Sequence, residues 1–149
     1  MNDGTVFYNF YGASVDSSVN DPTAFIHLIN EVVPAQDQRL RYMILSPYCF
    51  YYLKPLWSES SNFSYSPERN SLLCQAGVMG KLSSPIGLKF VVNHALPTQR
   101  VFFVTSDTKR DVETSPVGDK FTQALLYHLI SHVELAQNVL ALREELNKL

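Results

Sequence analysis

Charge is scarce in this sequence: Asp, Glu, Lys and Arg make up 17% of the 149 residues, with 12 basic against 14 acidic side chains and a formal net charge of -2. That balance supplies no positive field to displace counterions from a polyanion, so nucleic acid is expected as an indirect partner at most. Cysteine is scarcer still. Cys49 and Cys74 stand alone, with neither a C-x-x-C nor a metal-type spacing, which argues against a disulfide framework and fits a reducing compartment. No apolar run approaches the roughly 20 residues that a membrane-crossing helix needs, so no membrane partner is expected. The segment from Met1 to Gly12 carries Asp3 and no basic residue ahead of an apolar stretch, unlike a secretory signal. Internal repeats and low-complexity tracts are missing too.

What the chain has is apolar and aromatic material, 46% and 12% of its residues. A chain of this length and composition orders itself around one core. With so little charge, much of its surface must be neutral or aromatic, the kind more often covered by other subunits than left in water.

Residues 1–20 combine Phe7, Tyr8, Phe10 and Tyr11 with a Ser, Asp and Asn stretch, which predicts an extended N-terminal arm. Asp21-Pro22 opens a helix bearing Phe25, Ile26, Leu28, Ile29 and Val32, and Pro34 bounds it. Leu40 to Ser46 reads as a central strand, with Tyr42, Ile44 and Ser46 opposing Arg41, Met43 and Leu45. Ser46 then caps a short helix begun by Pro47, with Phe50 and Leu53 inward, and Pro55 stops it. Trp57 to Asn70, holding Phe63 and Tyr65, reads as a long loop.

Gly77, Gly80 and Gly87 mark turns, and strands are expected at Leu88–Asn93 and Val101–Thr105 around a turn at Leu96-Pro97. Ser106 to Gly118 is a second loop. From an Asp119 cap, a helix without Gly or Pro runs to Leu149, about 45 Å if unbroken. The expected class is α+β: a mixed sheet with packed helices, an arm at 1–20, a core domain at 21–118 and a long C-terminal helix at 119–149.

Leu28 to Leu53 reads LINEVVPAQDQRLRYMILSPYCFYYL, a helix ending near Val33-Pro34, an Arg41-led strand to Leu45, then Ser46-Pro47-Tyr48 opening a helix to Leu53. This, with Gly77-Val78-Met79-Gly80-Lys81, Ile86 to Asn93 and Leu96-Pro97, resembles the major capsid proteins of tailed bacteriophages over about residues 25–105. The resemblance implies the axial and peripheral domains of that fold, with 77–97 nearest the capsomer axis and 57–70 facing a neighbour. Such capsid proteins are longer and carry a hairpin loop and a spine helix ahead of this region. Here a short arm precedes it and a long helix follows, so the expectation is a trimmed or divergent shell protein, a minor capsid component, or an unrelated module.

Candidate chemistry is sparse. His128 and His132 lie four apart, as two metal ligands on one helix face would, but no Glu follows His128 as in H-E-x-x-H, and a packed or solvated face is the favoured reading. Ser46 and Ser106 lack a G-x-S-x-G context, and Gly77 to Ser84 lacks the glycine spacing of a phosphate loop. The mixed-sign groups Lys109, Arg110, Asp111, Glu113 and Glu31, Asp37, Arg39, Arg41 read as solvated loops. No catalytic residue, cofactor, metal or small-molecule substrate is expected; His27 or His94 gathered with carboxylates would revive an enzyme.

The expected function is therefore structural: a virion shell or shell-associated subunit, assembled in the host cytoplasm and partnered by its own copies and other virion proteins. Pro34, Ser46, Pro47, Gly77, Gly80, Gly87 and Pro97 set turns and caps. The contact candidates are Phe7, Tyr8, Phe10, Tyr11, Tyr51, Trp57, Phe63 and Tyr65, with Leu135, Val139, Leu142 and Leu146. Those last four continue His128 and His132 at steps of three and four to Leu149, the seam of a coiled coil or an intrachain core. The rival is a small non-enzymatic adaptor that dimerises through this helix.

Overall fold

Four consecutive bulky side chains, Tyr42 to Leu45, need apolar cover on both sides of one strand, and the chain supplies it with helices on both faces of a sheet. The computed structural model describes residues 7–15, 22–34, 40–57, 63–65, 72–82, 88–96, 99–107 and 120–149. In chain order these form β1 (Phe7–Ser14), α1 (Pro22–Val32), β2 (Leu40–Leu45), α2 (Pro47–Trp57), β3 (Phe63–Tyr65), α3 (Leu72–Gln75), β4 (Val78–Leu82), β5 (Leu88–Val92), β6 (Arg100–Asp107) and α4 (Lys120–Asn147). The strands make one six-stranded mixed sheet in the order β1-β6-β2-β5-β4-β3. Only the β2–β5 pair is parallel. The fold is α+β.

Strand alternation divides the core in two. Met43, Leu45, Leu88, Phe90, Val101 and Phe103 face α1 and α2, where they meet Ile29, Val33, Cys49, Phe50 and Leu53. Tyr42, Ile44, Val91, Phe102 and Val104 face α4 and meet Leu126, Leu129, Ile130, Val133 and Ala136. Full burial of an aliphatic side chain is worth roughly 1.5–3 kcal/mol, so the two-sided centre of the sheet is its most stabilising part.

The arm expectation is corrected in part. Residues 7–14 form an edge strand that pairs with β6 from Phe7↔Asp107 to Ser14↔Arg100. Two of its rings are buried, one on each face, Phe10 toward α4 and Tyr11 toward α1 and α2, and only a sheet position covers both.

Helix α1 keeps Pro22 at its first position and ends before Pro34, where Val33 N–H donates to the Ile29 carbonyl (2.9 Å). Asp21 lies outside the described residues. In α2, Ser46 Oγ accepts from Cys49 N–H (3.2 Å), the cap read from the sequence. The helix passes its expected stop at Pro55 and reaches Trp57. A proline so near the end removes one donor, while buried Phe50 and Leu53 hold the preceding turns.

Gly77 is a true turn residue, with φ of 102°. Its N–H donates to the Cys74 carbonyl (3.0 Å) and its carbonyl accepts from Val92 N–H (2.8 Å), while a Cβ there would sit 2.9 Å from the Val92 oxygen. Gly80 is not a turn: it lies in β4 opposite Phe90, beside a register shift after Val78. Gly87 and Pro97 lie outside the described residues. The expected loop at 57–70 is also revised, because it holds β3, paired Phe63↔Leu82 to Tyr65↔Gly80. Likewise β6 extends through Ser106 to Asp107, and residues 108–119 lie outside the described set.

Candidate functional site

Helix α4 carries two apolar stripes with different fates. Its 28 residues span about 42 Å, and Leu126, Leu129, Ile130, Val133 and Ala136 lie buried on the sheet. The expected division of the chain at 119 therefore cuts through the core, because the first half of α4 is part of it. Every residue from 141 to 149 is exposed.

The second stripe runs His128, His132, Leu135, Val139, Leu142, Leu146, Leu149, and at 100° per residue it lies about 140° around the helix from the first. Leu135, Leu142 and Leu146 are 62%, 60% and 57% exposed, and Val139 is half-buried. The His128 and His132 rings are exposed and meet edge to face at 6.5 Å.

A polar network fixes which stripe faces out. Glu134 Oε1 accepts from Tyr42 OH (2.6 Å) and Tyr8 OH (3.2 Å) and lies 3.8 Å from an Arg41 Nη. With its amide nitrogen toward Glu134, Gln137 donates to Oε2 (3.1 Å) and accepts from Lys89 Nζ (2.5 Å), and that ammonium sits 5.7 Å from the Tyr42 ring centroid. Two turns earlier, Tyr127 OH donates to the Tyr8 carbonyl (3.1 Å), and its ring packs edge-on against Tyr8 and Phe10.

Burial and then the Glu134 charge push the Tyr8 phenol up to about 12. Burial and the hydrogen bond to Glu134 raise Tyr42 as well, and burial lowers Lys89. Phenols held protonated in this way serve as hydrogen-bond donors, not nucleophiles, and the network ties α4 to β1, β2 and β5.

On the opposite layer, Tyr48, Tyr51 and Tyr52 are exposed along one side of α2 while Phe50 is buried; of these the sequence places only Phe50 inward and Tyr51 at a contact surface. The two exposed sets, on α4 and on α2, are thus on opposite sides of the sheet.

The sequence-expected contact residues separate accordingly. Leu135, Leu142, Leu146 and Tyr51 are exposed, Tyr8 is half-buried in the network, and Phe10 and Tyr11 are lost to the core. The side chains of Phe7, Trp57, Phe63 and Tyr65 lie outside the described residues. Arg41, read as part of a solvated loop, instead faces Glu134, a partner too distant in sequence to be seen by spacing. His27 and His94 are exposed and apart, on α1 and after β5. Among the described residues no three His, Cys, Asp or Glu side chains come together as a metal site, and no helix is long and apolar enough to cross a membrane.

No protein-family model, curated protein or solved structure matches this chain.

Proposed function

We propose that the chain is a structural subunit, a virion shell or shell-associated protein that assembles through repeated contacts with its own copies and other virion proteins. In this reading it performs no catalysis. The observation that carries it is the presence of exposed apolar or aromatic faces on opposite layers of one sheet, the leucine stripe of α4 and the tyrosines of α2. One such face suffices for a closed pair, whereas contact with more than one neighbour needs at least two.

The resemblance to tailed-phage capsid proteins supports the same reading. Its two carrying stretches form β2, the Ser46-capped α2, β4 and β5, which are contiguous in the chain's core. Under this reading 77–97 lies nearest the capsomer axis, and the protein resides in the virion after assembly in the host cytoplasm.

The test is the mass of the native assembly, by light scattering with negative-stain microscopy, over a range of concentrations and with co-expressed products of neighbouring genes. Rings, sheets or shells support a shell role. A monodisperse monomer or dimer in every condition removes it and leaves the adaptor reading.

A further inference from the structure

We propose that the outer stripe of α4 pairs with the same stripe of a second copy, parallel and in register, as a short two-stranded coiled coil. This names the partner of one of the two faces on which the assembly reading rests.

The stripe repeats at alternating steps of four and three residues from 128 to 149, the 3.5-residue period of a coiled-coil seam. In heptad terms His132, Val139 and Leu146 take the a positions, and His128, Leu135, Leu142 and Leu149 the d positions. Leucine at successive d positions with a β-branched residue at the central a position is the pattern that favours two parallel strands.

Polar complementarity favours a second copy over a different helix. In a parallel pair the g position of one helix lies beside the next e position of the other. Here that sets exposed Asn138, whose amide oxygen can accept, beside the guanidinium of the second copy's Arg143, while the earlier e position, Ala136, is taken up by its own chain's core. No like charges meet at these flanks. An antiparallel register that brings the two Leu142 side chains beside Leu146 would set Arg143 against Arg143 and Glu145 against Glu145.

The fold leaves this seam available. Glu134, held by Tyr42 and Tyr8, fixes the rotation of α4 so that Leu126, Ile130 and Val133 take the sheet, and among the described residues the side chains beyond 140 are all exposed.

The test uses the full chain in sedimentation equilibrium with the double variant Leu142→Glu/Leu146→Glu. Both side chains are exposed, so the variant keeps its far-ultraviolet circular dichroism. The wild type is expected to dimerise, and the variant to dissociate with its constant weakened about 100-fold or more. Register is read from Leu142→Cys under mild oxidation, with the wild type as the control for Cys49 and Cys74. Self-cross-linking at position 142 is expected, because residues at one d layer face each other.

A wild type that stays monomeric overturns the proposal, as does a variant that dimerises equally well. Cross-linking that appears only when Leu142→Cys and Leu146→Cys chains are mixed overturns the parallel register. The two readings fail separately. Large assemblies formed equally by wild type and double variant discard the seam and keep the shell, whereas a wild-type dimer that never grows keeps the seam and discards the shell.

Discussion

Tyr42 OH donates to Glu134 Oε1 at 2.6 Å, joining the centre of the sheet to the long helix across 92 residues of sequence. The Tyr42 side chain is almost wholly buried beneath a partly exposed Glu134, so its hydroxyl loses a charged acceptor if that carboxylate goes. Replacing Glu134 with Ala should therefore destabilise the fold by about 1.5–3 kcal/mol, the range for hydrogen bonds to a charged group. Tyr42→Phe should cost less, since Glu134 keeps Tyr8, Arg41 and Gln137. Urea unfolding of both single variants and the double gives the coupling between them; a coupling near zero would mean that the contact contributes nothing to docking α4.

Alkaline pH should weaken the same junction. Tyr8 goes up to about 12 in the folded protein from an ordinary 10.0, and Tyr42 is raised too. Each phenol holds its proton more tightly folded than unfolded, so the stability it contributes is complete below the ordinary value and is lost as pH rises through the folded one. Lys89, lowered by burial, has the opposite sign: the unfolded chain binds its proton more readily, so stability gained with rising pH partly offsets the loss. The expected result is a net fall in unfolding midpoint from about pH 10 upward, flatter in Tyr42→Phe, with tyrosinate absorbance recording the ionisation. Equal slopes in wild type and variant would remove Tyr42 from the account.

Where local chemistry decides structure, the sequence was readable, and Ser46 and Gly77 test this. Ser46→Ala deletes the oxygen that accepts from Cys49 N–H and should cost about 1 kcal/mol. Gly77→Ala should cost more, since φ of 102° is strained for any L side chain and the new Cβ would press on the Val92 carbonyl. Thermal melts of the two variants rank them; a Gly77→Ala protein as stable as wild type would mean that the turn relaxes freely.

The limits of that legibility follow from range. Helix α1, β2, α2, β5, β6 and α4 each announce themselves through a proline, a cap or a periodic apolar run within a few residues. β1 did not, because Phe7, Tyr8, Phe10 and Tyr11 look like stranded rings until β6, about 90 residues later, provides the neighbour that buries two of them. Three-residue β3 is too short for its alternation to register, and Gly80 reads as punctuation although it sits at a strand irregularity. The outer stripe of α4 was visible as a heptad, but only the packing of Leu126, Ile130 and Val133 shows that it is the other stripe that the core consumes. The Glu134 network left no sequence signal, since its members come from four elements and share no spacing.

Thr105 offers a test in the opposite direction. It lies in β6 between Asn9 of β1 and Leu40 of β2, buried, and its Oγ1 has no hydrogen-bond partner among the described residues. A buried hydroxyl that has given up water without gaining a partner is a standing cost. Valine places a methyl group where the hydroxyl was, keeps the β-branch that suits a central strand, and carries nothing that needs an acceptor. Thr105→Val should thus raise the unfolding free energy by about 1 kcal/mol, measured by urea denaturation with an unchanged slope. A loss of stability of that size would show that the hydroxyl contributes a bond in solution, and would place an acceptor for it beside the β1–β6–β2 junction.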